Sequence, residues 1–239
     1  MEPLKILIIA TSHSEMINSN RKTGLWLEEI VGPYYVFKEA GAMITVASPD
    51  GGKVPLDPRS ESIIISTSSS KRFRNDQEAM LLLTHSQKIG AQTASDFNFV
   101  LLLGGHGPLW DFTENESLKN LLEDFHRQHK FIGAVCHGVA GLLSVKNRMG
   151  EPLVRDRRLT AYSNSEEQVS GATNLIPFLL ESKLISLGAA YSKGPDFISH
   201  VIVDGTIITG QNSDSAKAVA RRLLISVKES PKKIEEMIY

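Results

Sequence analysis

The chain has little cysteine, no long apolar run and no block of basic residues, and each absence excludes a class of protein. Cys136 is the only cysteine among 239 residues, so neither an intramolecular disulfide nor a Cys-x-x-Cys metal or redox motif can form. No apolar stretch approaches the roughly 20 residues that a membrane-spanning helix requires. The net charge is -1 and no run of basic residues is longer than a short pair, which argues against nucleic acid or a membrane surface as the main partner.

The N-terminal residues MEPLKILIIATS lack the features of a signal peptide. Their apolar part is short and weakly flanked by positive charge, which is typical of a first β-strand. We therefore expect a cytoplasmic protein. Hydrophobic residues make up 41% and charged residues 22% of the chain, as in ordinary soluble globular proteins, and the length suits one domain that spans residues 1–239.

Short apolar segments alternate with amphipathic segments along the chain. Apolar runs without polar alternation predict buried strands at 6–10, 44–47, 99–103 and 131–135. Other patterns predict helices at 25–40, 76–89, 116–129, 178–187 and 215–226, and a hairpin at 198–210 that turns at 204–205. The segment 148–171 is less regular, and the serine-rich stretch 66–70 is interpreted as a polar loop. Buried strands separated by helices indicate an α/β protein with a mostly parallel sheet covered on both faces.

The segment FIGAVCHGVAGLL, 131–143, passes from a predicted strand into small residues, with Cys136 and His137 at the junction. A strand that turns sharply into a helix lifts the turn residue above the sheet. A helix N-terminus at this point would lower the pKa of Cys136, and the N–H groups that follow could bind an oxyanion. A lone cysteine is more often an inert core residue. The adjacent histidine and the glycines favour a nucleophile instead.

The loop GGHG follows the strand at 99–103 and contains Gly105 and His106. Ligands of such sheets bind beyond the carboxyl ends of the strands. Backbone amides of this loop could therefore approach a ligand, and His106 could line the same pocket as Cys136. A plain turn would explain the loop nearly as well.

The helix at 25–40 places a glutamate towards the interior. At about 100° per residue, Glu29 falls beside the apolar face of the helix, whereas Glu28 falls on the side that faces water. Burial raises the pKa of a carboxyl group unless the group is well paired, and such perturbed acids mark candidate functional sites. The alternative is a boundary glutamate that bonds to solvent.

Several motifs resemble the PfpI-type branch of the class I glutamine amidotransferase-like superfamily. They are the elbow GAVCHG, the loop LLLGGHG, a helix with E-x-x-x-P-Y followed by AGAMITVASPDGG, and PLDPRS, TAYSNSEE, IPF and DGTIITGQN. The resemblance extends over nearly the whole chain and points to the heat-shock chaperone and glutathione-independent glyoxalase (glyoxalase III) subgroup. It implies a flavodoxin-like three-layer sandwich.

The resemblance also implies the roles of individual residues. Cys136 corresponds to the nucleophile, His137 to its histidine and Glu29 to a carboxylate beside the thiol, with the backbone of Gly105 and His137 as oxyanion donors. Some members complete a triad with an acid after the elbow. Glu166 is the candidate here, ahead of two less favoured acids, Glu167 and Asp156. The subgroup works without glutathione, metal or other cofactor, and dimers are common in it, so we expect a homodimer.

The function implied by the resemblance is the conversion of methylglyoxal, a small 2-oxoaldehyde, to lactate. Cys136 would add to the aldehyde, a proton would move between the two carbons through an enediol, and water would hydrolyse the resulting thioester. The preferred assignment gives the carbon-bound proton to His137 and the thiol to Glu29, but the two roles could be exchanged. A cysteine peptidase or amidase is one alternative, and a firmly placed acid orienting His137 would favour it. A stress chaperone or redox sensor is the other.

Overall fold

A seven-stranded sheet forms the centre of the protein. The computed structural model describes residues 2–17, 19–62 and 67–236, and for 230–236 it describes the backbone alone. The strands of this sheet are β1 Lys5–Ile9, β2 Met43–Ser48, β3 Gln87–Lys88, β4 Phe99–Leu102, β5 Phe131–Val135, β8 Val201–Asp204 and β9 Ile207–Gly210. Their order is β3-β2-β1-β4-β5-β9-β8. All neighbours pair in parallel except β8 and β9, which form the predicted hairpin.

Helices and a small second sheet surround this centre. The two remaining strands, β6 Arg158–Leu159 and β7 Ala190–Tyr191, pair with each other. The helices are α1 Leu27–Glu39, α2 Ser68–Asn75, α3 Gln77–Thr84, α4 Pro108–Asp111, α5 Glu116–Arg127, α6 Asn164–Ser170, α7 Leu180–Ser186 and α8 Ala216–Glu236. None of these helices is long and apolar enough to cross a membrane, as far as the described residues extend.

Alternate residues of the strands point to opposite faces of the sheet, and helices cover both faces. In β1, Leu7 and Ile9 belong to the core that includes α5, whereas Ile6 and Ile8 belong to the core that includes α1 and α8. The central strands are buried on both sides, which is why their sequences are continuously apolar. The predicted fold class, a flavodoxin-like three-layer sandwich, is therefore confirmed.

Several predicted boundaries differ from the structure. The helix predicted at 76–89 ends at Thr84, because His85 leaves the helical conformation and the chain continues into the edge strand β3. The serine-rich stretch is not a loop: Ser68–Ser70 form the first turn of α2, and the hydroxyl of Thr67 caps it by accepting from the N–H of Ser70 at 3.0 Å. Residue 66 lies outside the described residues. The segment 148–171 contains β6 and α6.

Candidate active site

The strand β5 delivers Cys136 to the carboxyl edge of the sheet through a sharp turn. Val135 is still extended, with φ −133°, whereas Cys136 has φ 56°, in the left-handed region that non-glycine residues seldom adopt. A seven-residue 3-10 helix, Cys136–Leu142, follows. The thiol lies in a cavity and is itself almost fully buried.

The prediction of a lowered pKa for Cys136 is wrong. Burial raises the pKa of the thiol well above its ordinary value, and Glu29, which is ionised at the high pH where the thiol titrates, raises it further. The backbone N–H groups of Gly105 and His137 bond to the sulfur and lower the pKa, but their effect is smaller. At neutral pH Cys136 is therefore a thiol, and its attack on a substrate requires a group that takes up the proton.

The inward orientation of Glu29 that helical periodicity predicts is confirmed. Its carboxyl group is completely buried, and Oε2 accepts a hydrogen bond of 2.6 Å from the N–H of Gly104. Oε1 makes no hydrogen bond with the described residues. Burial raises the pKa of Glu29 to about 8, so the group is protonated at neutral pH. The neighbouring Glu28 is partly exposed and accepts a hydrogen bond from Thr67.

The loop after β4 brings two backbone N–H groups to the site. Gly104 binds Glu29, and Gly105 binds the sulfur of Cys136. Gly105 has φ 88°, and a Cβ atom at this position would lie 2.0 Å from the carbonyl oxygen of Gly24. A residue without a side chain is therefore required for the close approach of this loop to the chain before α1.

His137 connects the thiol to a buried carboxylate. Its Nδ1 lies 3.5 Å from the sulfur of Cys136, and its Nε2 lies 2.6 Å from Oε2 of Glu167. Burial raises the pKa of Glu167, but the contacts with His137 and His106 outweigh it and hold the pKa well below its ordinary value. Glu167 is thus an anion that accepts the Nε2–H of His137. In the neutral ring Nδ1 is then the nitrogen without a proton, and it faces the thiol.

His106 binds the other oxygen of the same carboxylate. Its Nε2 lies 2.8 Å from Oε1 of Glu167, and its Nδ1 lies 3.0 Å from Nη2 of Arg59. Because a guanidinium group can only donate, Nδ1 of His106 must accept and Nε2 must donate. Burial lowers the pKa of His106 to about 4, which is consistent with a neutral ring.

Glu166, the acid that the sequence favoured as the third member of a triad, has different partners. Its Oε2 accepts from the N–H of Ser163 at 3.0 Å, and its Oε1 accepts from Phe197 N and Asn212 Nδ2, each at 2.8 Å. The neighbouring Glu167 contacts His137 instead, and the less favoured Asp156 is exposed.

A sequence signal could have separated the two glutamates. Ser163 and Glu166 have the spacing of a capping box, in which the acid at the third helical position bonds back to the residue that precedes the helix. The structure contains this capping box at the start of α6. Glu166 is therefore occupied by the helix terminus, and Glu167 points to the histidines.

The sequence reasoning missed Arg59 and Asp57 altogether. Asp57 is completely buried and binds Arg59 through Nε at 3.0 Å and Nη2 at 2.7 Å. The pair lies in the motif PLDPRS, whose position in the fold no local pattern reveals. Hydrogen bonds thus run from Asp57 through Arg59, His106 and Glu167 to His137, beside the thiol.

The cavity above Cys136 has a volume of about 240 Å³. Besides the groups named so far, its walls include aromatic side chains, one of them on the strained residue Phe197 with φ 59°, and two serines. These further lining residues are Trp26, Tyr162, Phe197, Ser170 and Ser213. A cavity of this size is smaller than most drug-binding pockets and suits a small molecule.

His106, His137 and Glu167 could also hold a metal ion. Their ligand atoms all lie within 4.8 Å of one another, and two imidazoles with one carboxylate suit several divalent transition metals. In the structure the same atoms bond to one another.

Comparisons with known proteins place the chain among relatives of the same length. Glyoxalase 3 of Candida albicans is 27% identical over 230 residues, which cover 92% of this chain and 97% of that protein. The solved structure of Rapid Encystment Protein 24 KDa from Francisella tularensis is 36% identical with a TM-score of 0.89, over 94% of this chain and 99% of that chain. The crystal structure of glyoxalase III from Candida albicans is 25% identical with a TM-score of 0.85, over 93% and 97%. The model of the DJ-1/PfpI family matches residues 23–225, and the chain belongs to this family.

Proposed function

We propose that this protein is a glutathione-independent glyoxalase that converts methylglyoxal to lactate through a hemithioacetal on Cys136. The observation that carries the proposal is the position of the thiol between two groups of complementary character. Glu29 offers a protonated carboxyl group, and His137 offers an unprotonated Nδ1. Relatives whose names state this activity support the proposal.

The first step needs a proton donor and a proton acceptor at once. As the sulfur of Cys136 bonds to the aldehyde carbon, Glu29 gives its proton to the aldehyde oxygen and takes the proton of the thiol on its other oxygen. Glu29 therefore ends the step protonated, and His137 is unchanged. Oε1 suits the donation of the proton to the aldehyde, because it has no hydrogen-bond partner among the described residues, whereas Oε2 accepts from Gly104.

The second step moves hydrogen between the two carbons. His137 Nδ1 removes the proton from the carbon that carries sulfur, which gives an enediolate. The proton on the first oxygen passes to the second by way of Glu29, and the imidazolium then protonates the second carbon. The first carbon is oxidised to a thioester and the second is reduced to an alcohol, so no external oxidant or reductant is needed. A base with a pKa near neutrality suits such transfers.

Water completes the reaction by attacking the thioester. His137 takes one proton from the water. We assign the tetrahedral oxyanion to the N–H groups of Gly105 and His137, which lie at the sulfur. The carbon–sulfur bond then breaks, the sulfur recovers the proton held by His137, and the product releases its carboxyl proton to water and leaves as lactate.

The experiment that tests the proposal is lactate formation from methylglyoxal without added thiol. We expect turnover by the wild type and a loss of at least about 10³-fold for Cys136→Ala. Intact-mass spectrometry should detect a covalent adduct of one substrate molecule on the wild type and none on the variant. Because the chain has no other cysteine, full activity of Cys136→Ala would rule out the nucleophile.

A cysteine peptidase or amidase is the second candidate, and the firm contact between Glu167 and His137 favours it. The same thiol would attack a peptide or amide carbonyl, and His137 would protonate the leaving nitrogen. A panel of peptides and small amides, assayed beside methylglyoxal with wild type and Cys136→Ala, separates the two functions. Cys136-dependent release of amine without lactate formation would identify an amidase.

A further inference from the structure

We propose that Arg59 makes the cavity selective for 2-oxoaldehydes that carry a carboxylate or another anionic group beyond the two reacting carbonyls. This inference rests on the proposed glyoxalase function for its substrate class. It concerns the wall of the cavity and not the reacting groups.

The contacts of Arg59 leave part of its guanidinium group available. Nε and Nη2 bind the buried carboxylate of Asp57, and Nη2 also binds His106. Nη1 makes no hydrogen bond or ion pair with the described residues. The side chain of Arg59 lines the cavity and is 28% exposed. The guanidinium carbon lies 5.6 Å from the ring centre of Trp26, which restricts its position.

The charges around the cavity favour an anion at this end. Among the described residues that line the cavity, Arg59 is the one with a permanent positive charge, because a guanidinium group keeps its proton. The neighbouring His106 is neutral. Glu29 is uncharged at neutral pH, and each carboxylate oxygen of Glu167 accepts a hydrogen bond from an imidazole. Asp57 is completely buried and does not line the cavity, so Arg59 is the member of the pair that a ligand can contact. Guanidinium groups bind carboxylates well, and more strongly where water is excluded.

The cavity also has space for a group beyond methylglyoxal. Its volume of about 240 Å³ corresponds to roughly eight water molecules in the liquid. Methylglyoxal has only five non-hydrogen atoms and leaves part of this space unfilled. A substrate with a short acidic tail could place its aldehyde at Cys136 and its carboxylate at Nη1 of Arg59.

Alkylation of Cys136 tests the charge selectivity without any turnover. Iodoacetate and iodoacetamide are similar in shape and differ in charge, and the sole cysteine makes intact mass a direct readout. The measured quantity is the ratio of their rate constants, in which changes of thiol reactivity cancel. We expect the iodoacetate-to-iodoacetamide ratio to fall about tenfold in Arg59→Gln combined with Asp57→Asn, which leaves no unpaired buried carboxylate. Arg59→Lys should retain most of the ratio.

A matched control is the pair Arg157 and Asp204, which forms another arginine–aspartate contact outside the cavity. Arg157→Gln combined with Asp204→Asn should leave the ratio unchanged. If the ratio in Arg59→Gln combined with Asp57→Asn equals that of the wild type and the control, the inference is wrong.

Substrate kinetics provide the second readout. Dioxovalerate, a five-carbon 2-oxoaldehyde that ends in a carboxylate, is compared with its neutral analogue. The ratio of their kcat/KM values should fall about tenfold in Arg59→Gln combined with Asp57→Asn and should be mostly retained in Arg59→Lys. Lactate formation with unchanged ratios would reject the inference alone. A charge-dependent alkylation ratio without any lactate formation would reject the proposed function and retain the anion-binding wall.

Discussion

Glu28 and Glu29 are adjacent residues with opposite environments, and the difference follows from one helical step. Glu29 is buried beside the thiol, whereas Glu28 reaches Thr67 at the edge of α2. The buried carboxyl group of Glu29 has a pKa of about 8 and can exchange protons with a ligand in the cavity at neutral pH. Glu28 does not line this cavity.

Replacing each glutamate in turn tests this difference. Glu29→Gln keeps the size of the side chain and an acceptor for Gly104 but cannot exchange protons, so we expect kcat/KM for methylglyoxal to fall about 10²-fold to 10⁴-fold. Glu28→Gln is the matched control and should stay within about twofold of the wild type, since exposed polar substitutions have small effects. Equal losses in the two variants would contradict the assigned role of Glu29.

The environment of Cys136 also bears on the redox-sensor alternative. Peroxide reacts with exposed thiolates, whereas Cys136 is buried and its pKa is raised. These properties favour a thiol that reacts only with a substrate that enters the cavity and brings an electrophilic carbon to the sulfur.

The loop between β4 and α4 sets the distance between the thiol and α1. Gly105→Ala would place a Cβ atom 2.0 Å from Gly24 O in a left-handed conformation, whereas Gly41→Ala has φ 71° and open space around it. We expect Gly41→Ala to cost about 1 kcal/mol through backbone strain alone. Gly105→Ala should cost about 3 kcal/mol or more, because overpacking is added to the strain.

Urea unfolding of both variants and the wild type measures these costs. Comparable losses of unfolding free energy in the two alanine variants would mean that the loop can move away from Gly24. In that case its close approach would not be what fixes the N–H of Gly105 at the sulfur.

Elements whose burial follows a local period could be predicted from the sequence. The strand at 99–103 is continuously apolar, and Glu29 lies beside the apolar stripe of α1. The conformation of the elbow could not be obtained in this way. A helix N-terminus at Cys136 predicts a lowered pKa, but burial and the carboxylate of Glu29 raise the pKa instead.

Contacts between distant segments were equally out of reach of local patterns. The bond between His106 and Glu167 joins residues 61 positions apart, and the pair Asp57 and Arg59 joins the same network from a third segment. Nothing in the periodicity of either segment specifies its partner. The capping box at Ser163 is the exception, since it binds Glu166 to the helix terminus and leaves Glu167 available to bond the two histidines.

The buried carboxyl group of Glu29 makes the stability of the whole molecule depend on pH. Its pKa is about 8 in the folded protein and near the ordinary 4.5 in the unfolded chain. Between these values the folded state binds more protons, so the free energy of unfolding falls as pH rises. The contribution of protonated Glu29 is complete below about pH 4.5 and is lost through about pH 8.

A glutamine at position 29 cannot titrate and should remove this dependence. We expect the stability of Glu29→Gln relative to the wild type to increase between about pH 4.5 and about pH 8, by at most about 5 kcal/mol. Urea unfolding of the wild type and Glu29→Gln across this range measures the difference. A flat difference for Glu29→Gln would show that the carboxyl group is not buried as described.

The segments that surround Cys136 also set the order in which the centre can be assembled. Glu29 and Gly104 are separated by 75 positions, and Glu167 lies 30 positions after His137. Pairings over such distances wait for the chain to close around them. During synthesis, Cys136 is added to the chain before α6. A nascent chain therefore carries an ordinary cysteine, and the reactive centre exists only in a molecule whose folding has extended through Glu167.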